Sequence, residues 1–315
     1  MSIAANSIVI RIILFLWHGL VRFWNNSAIG RWLCRVEQAV CTCASNSPLC
    51  RFLARDGLIL RTWPDSMLCR IVVTVINIPC AFAKWIYKLA KGLWDGSIVF
   101  RVISTIGTAA WIPLALLLMV MLCVPHDIWD NLYAFLGLLL VAVLFFVGSM
   151  VRSKQRLQVE RFGPYMVLYL AFIVYGLIAS FSTSLSVRFF IFHMTCFLIV
   201  LLMVSGINKY NQLHWLVALV GLGLLAAAVY GCYQGYVGVE VVKSQQDLLL
   251  NENMPGRIYS FFDNPNNFAE ILVMLVPLML ALLINARTFK GKCTALVVIG
   301  ASVIAPTSPI QPERE

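Results

Sequence analysis

From residue 98 onward the chain alternates between long apolar blocks and short polar phrases. The blocks 98–124, 132–151, 165–181, 189–205, 213–232 and 268–284 hold almost no charge. Each is at least the roughly 17 residues a helix needs to cross a bilayer. A last apolar run, 293–304, is only about 12 residues long, too short to span. The pattern predicts an all-α, polytopic integral membrane protein with about six to seven transmembrane helices after an N-terminal region.

That region reads differently. Between residues 1 and 97, apolar residues recur with Arg, Lys and Trp at roughly helical spacing, as in KWIYKLAKGLW (84–94). A five-fold repeat, Ser-x-aliphatic-x-Arg, runs through it and into the first span: SIVIR from Ser7, SAIGR from Ser27, SPLCR from Ser47, SMLCR from Ser66 and SIVFR from Ser97. Serine is a good helix N-cap, because its hydroxyl accepts a backbone N–H that has no partner in the first turn. Each unit is therefore expected to start a short amphipathic helix, lying in the membrane surface with its basic residues toward headgroups. The alternative is that one or two units, the 6–24 stretch above all, cross the bilayer.

Composition fits this class. Of 315 residues, 61% are hydrophobic and 12% charged, against about a quarter charged in soluble domains. The net charge of +10 is concentrated in particular connections, which favours membrane topology and anionic lipid over nucleic acid. Residues 1–97 hold eleven Lys or Arg against four acids, 152–161 hold four against one, and 287–292 hold three against none. The 233–267 stretch holds two bases against four acids. The positive-inside rule then puts the N-terminus in the cytoplasm and 233–267 outside. Among ten cysteines, Cys34, Cys41, Cys43 and Cys50 cluster, but the spacing fits no zinc pattern, so no metal and no cofactor is expected.

The candidate chemistry lies in GRIYSFFDNPNNFAE, residues 256–270. Pro265 biases Asn264 to an extended conformation, so Asn264-Pro265-Asn266 is expected to be a turn. Asn267 with Glu270 three residues on has the form of a capping box opening the last full span. Tyr259, Phe261, Phe262 and Phe268 suit an interfacial aromatic belt. A helix N-terminus is a natural anion site. Arg257 brings a forked guanidinium suited to phosphate oxygens, and Gly256 lets the backbone approach a ligand. Arg188, at the outer end of another span, is a second candidate for the same site. His193 and Asp263 are assigned packing and turn roles.

GRIYSFFDNPNNFAEILVMLVPLML resembles the signature of the bacterial O-antigen ligase / O-antigen polymerase family. The matching residues are Arg257, Ser260-Phe261-Phe262, Asn264-Pro265-Asn266 and Val276-Pro277-Leu278. AAAVYGCYQGYVG (226–238) and ASFSTSLSVRFF (179–190) resemble neighbouring outer elements, and the likeness covers roughly residues 130–290. The resemblance implies metal-independent glycosyl transfer at the outer face of the bacterial cytoplasmic membrane. An undecaprenyl-pyrophosphate-linked glycan would be the donor, and arginines would hold its diphosphate. Family members continue into a later histidine-bearing loop, and no residue here matches that histidine, so truncation is expected. Domains are read as 1–97 interfacial helices, 98–304 a partial ligase-like region and 305–315 a polar tail. A non-catalytic membrane protein and a polyisoprenoid-glycan transporter are the rival readings. The second would call for inverted repeats and broken helices near mid-membrane, neither of which is evident in the sequence.

Overall fold

The structure, a computed structural model, describes residues 19, 22–23, 26–53, 57–125, 128–239, 257–262, 264–286 and 289–307. The Ser7 repeat, Gly256, Asp263 and the polar tail beyond residue 307 lie outside them. Among the described residues every regular element is helical. Two compact units are distinguished, Met1–Thr62 and Trp63–Glu315. This boundary reflects packing, a different property from the topological division at 97/98.

The repeat has one physical form wherever it is described. Ser27 opens α1 (Ala28–Asn46) and Ser47 opens α2 (Pro48–Leu53), which packs on α1; α3 is Leu58–Thr62. In the second unit Ser66 opens α4 (Met67–Ile76) and Ser97 opens α7 (Ile98–Thr108). Each serine hydroxyl accepts from the N–H three residues on, at 2.9, 3.3, 3.1 and 3.2 Å. Each serine carbonyl accepts from the repeat arginine's N–H, at Arg31, Arg51, Arg70 and Arg101. The motif is thus a helix-start module: one residue satisfies the first-turn donor, and the arginine closes the first intrahelical bond.

The second unit continues with α5 (Ile78–Leu89), α6 (Lys91–Gly96), α7, α8 (Trp111–Cys123), α9 (Asn131–Val151), α10 (Gly163–Ile178), α11 (Thr183–Gly206), α12 (Tyr210–Val237), α13 (Pro265–Asn285) and α14 (Phe289–Thr307). Short 3₁₀ turns at Trp63–Asp65 and Val159–Phe162 precede α4 and α10. Among the described residues five helices are long and apolar enough to cross a membrane, and seven spans result if each of two bent pairs counts as one. The chain is an all-α polytopic membrane protein. Helix α9 packs against α5, α7, α8 and α11, and α12 packs against α8, α13 and α14. The core between them is built of buried Leu, Ala, Phe and Met, including Leu114, Leu138, Phe145, Leu224 and Met279.

Three expectations change. The block 98–124 is not one helix: α7 and α8 meet at a 72° bend. Pro113, third in α8, has no N–H to give to Ala109, whose carbonyl instead accepts from Ile112 at 2.9 Å. The final run is longer than its apolar stretch suggested, because α14 extends over 19 residues and packs on α12 and α13. The amphipathic segment 67–89 does not lie apart from the spans. Helices α4 and α5 form a second bent pair, 49° at Asn77, apolar enough together to cross, and α5 packs on α9. Pro79 near the start of α5 forces that break.

Both breaks lie against one connection, residues 152–158. The Asn77 amide donates to Leu157 O at 3.0 Å and accepts from Leu157 N–H at 2.8 Å. Lys84 Nζ donates to Ser153 O at 2.8 Å and Gln155 O at 3.1 Å. Gln155 Nε2 donates to Gly107 O at 3.0 Å and Phe145 O at 2.9 Å. Gln158 N–H donates to Ser205 Oγ at 2.9 Å. Broken helices are therefore present after all, but at one end of the bundle.

Asn77→Ala removes both partners of Leu157. An unsatisfied buried backbone group costs about 1–3 kcal/mol, so a clear drop in melting temperature is expected. Hydrogen exchange at the Leu157 amide should quicken with it; unchanged exchange there would rule out Asn77 as the anchor of this connection.

Candidate functional site

Residues 257–262 and 264–270 fold against the end of α12. Ser260 is buried and sits at φ 55°, the left-handed region, the one non-glycine residue found there among the described residues. Such a conformation costs of order 1–3 kcal/mol and persists only when its surroundings fix it. Here three hydrogen bonds do so. Ser260 N–H donates to Gln234 Oε1 at 2.7 Å, Gln234 Nε2 donates to Ser260 O at 3.2 Å, and Ser260 Oγ donates to Ala227 O at 2.6 Å. The primary amide reads the backbone of Ser260 as a neighbouring strand would, with both donor and acceptor engaged.

Packing completes the clasp. Phe261 stacks on Tyr230 of α12 with ring centroids 4.5 Å apart and planes 3° apart. Phe262 stacks on Phe268 at 5.9 Å. A Cβ on Gly231 would lie 3.2 Å from the Phe268 ring and 3.3 Å from Ile258, so this glycine permits the close approach. The aromatic-belt expectation is corrected for two residues: Phe262 and Phe268 are 5% and 2% exposed. They are buried because the loop turns inward at Ser260 instead of lying along the interface.

The cap is also corrected. Helix α13 starts at Pro265, with Asn264 as the N-cap. Asn264 Oδ1 accepts from Asn266 N–H at 2.8 Å, and Asn264 O accepts from Phe268 N–H at 3.2 Å. Proline is favoured at the first helical position, where its missing N–H leaves no partner waiting. Asn267 and Glu270 are thereby displaced from the cap into the helix, both exposed, and no capping box forms between them. Pro277 lies inside α13, which remains one element.

Arg257 is exposed, and its Nη2 donates to Asn266 Oδ1 at 3.4 Å. That contact places the guanidinium beside the first turn of α13. The two positive features that sequence reading separated by ten residues, a cation and a helix N-terminus, are therefore adjacent. Together they can hold an anion with oxygens on more than one side. Arg188 is not brought to them. It is exposed in the second turn of α11, which packs on α8, α9 and α10, whereas α13 packs on α12 and α14.

The residue that sequence reasoning passed over is Gln234. Its signal was a buried-side glutamine, Tyr-Gln-Gly, within an otherwise apolar helix, where a polar side chain needs a partner. His193 is ringed by Tyr169, Phe189 and Phe192, with ring centroids 5.8, 6.5 and 5.4 Å away. It lies on α11 with Arg188, apart from the clasp. Comparison of the chain with protein-family models, with curated proteins and with solved structures finds no match.

Proposed function

We propose that the chain carries the donor-binding part of an O-antigen ligase or polymerase-type glycosyltransferase. Its Arg257 and the N-terminus of α13 would hold the diphosphate of an undecaprenyl-pyrophosphate-linked glycan at the outer face of a bacterial cytoplasmic membrane. The observation that carries this reading is the 3.4 Å contact from Arg257 to Asn266. It supports an anion site in the stretch that resembles the family signature. The clasp between Gln234 and Ser260 adds support, since it joins the 226–238 and 256–270 segments quoted for that resemblance.

In such a site the protein's task is to neutralise charge building on the leaving diphosphate as the glycosidic bond breaks. A preorganised cation beside a helix dipole does this without reorganising at the moment of reaction. Arg188 stays outside the proposal. A polyisoprenoid-glycan transporter is disfavoured, because both helix breaks lie against the 152–158 connection, which follows the C-terminal end of α9.

Binding separates the donor site from the rest of the enzyme. In nanodiscs, undecaprenyl pyrophosphate is expected to bind the chain and to weaken about 10- to 100-fold in Arg257→Ala, since a hydrogen bond to a charged group contributes about 1.5–3 kcal/mol. Arg257→Lys should recover part of it, since charge is kept and the fork is lost. Equal affinity in wild type and Arg257→Ala would remove Arg257 from the mechanism.

A further inference from the structure

The 152–158 connection, at the end of α9 opposite its start at Asn131, borders a partly open cavity of about 220 Å³. That is below the roughly 300–1,000 Å³ of sites for drug-sized ligands, and suits a headgroup better than a whole glycan. Its wall carries Arg152, Lys154 and Arg156 from the connection, and Ser205 and Asn208 from the end of α11 and the residues after it. Arg156 is paired with Glu160 at 2.6 Å. Arg152 and Lys154 have no ion-pair partner among the described residues. Cations clustered without counter-charge on a membrane protein repel one another unless an anion joins them.

A further feature marks a built site. The connection is tied at residues 153, 155, 157 and 158 by Lys84, Gln155's own amide, Asn77 and Ser205. Its cations are thus held on a fixed backbone.

We propose that this cavity seats an anionic phosphate ester, with Arg152 and Lys154 on the phosphate. The headgroup of phosphatidylglycerol has this chemistry, and phosphatidylcholine lacks the net charge. Basic pockets between membrane helices are suited to anionic headgroups. The site is separate from Arg257 and stands whether or not the glycan reading does.

The test is native mass spectrometry of the full chain released from nanodiscs of equal phosphatidylglycerol and phosphatidylcholine. One phosphatidylglycerol is expected to remain, about tenfold over phosphatidylcholine. Arg152→Gln/Lys154→Gln should abolish that preference. Arg70→Gln/Arg101→Gln, which removes two exposed arginines elsewhere, should not. Melting in pure phosphatidylcholine confirms that each variant is folded. Displacement of the retained lipid by millimolar glycerol 3-phosphate would sustain the phosphate-ester site and assign it to a soluble source; no displacement assigns it to lipid. Equal retention of phosphatidylglycerol by wild type and the Arg152/Lys154 variant overturns the proposal.

Discussion

Gly107→Ala is expected to destabilise the bundle more than any other single methyl added to it, with Gly148→Ala close behind. The two glycines face each other where α7 meets α9. A Cβ at Gly107 would lie 2.7 Å from Gly148 N and still nearer to Leu144 O, and a Cβ at Gly148 would meet Gly107 C and O and lie 2.6 Å from Thr108 N. Those neighbours are backbone atoms, which cannot rotate aside as a side chain can. The helices must separate, and the Gln155 bonds to Gly107 O and Phe145 O, which straddle this contact, stretch with them. Ordinary overpacking costs about 1–3 kcal/mol; here the loss should exceed that range. Thermal melting in detergent, read by the fraction remaining monodisperse, measures it. Gly176→Ala is the internal control. Its Cβ meets nothing within 4 Å, and alanine is favoured over glycine in a helix by up to about 1 kcal/mol. A Gly107→Ala protein as stable as the Gly176→Ala protein would show that α7 and α9 do not touch in this way.

The second large effect is expected at Gln234. Gln234→Leu keeps the size of the side chain and leaves Ser260 N–H and C=O buried without partners, at about 1–3 kcal/mol each. With the amide gone, nothing on α12 but the Ala227 carbonyl holds Ser260 at φ 55°. The 257–262 segment should relax toward ordinary φ and take Arg257 away from Asn266. Hydrogen exchange at Ser260 should rise sharply and, if the donor reading holds, undecaprenyl pyrophosphate affinity should fall nearly as far as in Arg257→Ala.

Gln234→Glu separates the hydrogen bonds from the shape. A protonated carboxyl offers one donor and one acceptor and can replace the amide; a carboxylate has no donor for Ser260 O. Folding therefore favours the protonated form, so the stabilisation is present at acid pH and is lost as pH rises. Relative to wild type, the variant should be near-normal at low pH and weakened at neutral pH. A wild-type-like profile at every pH would mean that Gln234 fills space without clasping Ser260.

Much of the architecture was legible without coordinates. Apolar blocks of bilayer length state their own secondary structure, because no other structure satisfies the backbone in hydrocarbon. The serine repeat was legible for a related reason: capping is a contact within four residues of sequence, so Ser27, Ser47, Ser66 and Ser97 needed no tertiary partner. The motif at 256–270 pointed to a helix start, yet placed it at Asn267 instead of Asn264. Both asparagines can cap, and the choice falls to Asn264 because burial of Pro265 and Phe268 against the bundle fixes where the helix begins.

What only the tertiary structure decided are contacts between residues far apart in the chain. No local pattern announces that Gln234 will hold Ser260, that Asn77 will pair with Leu157, or that Gly107 and Gly148 will touch. Each depends on two helices arriving at the same depth, and depth is set by packing summed along both of them. Composition and periodicity constrain what each segment does alone in a membrane; which polar groups find one another there is fixed only when the segments are stacked.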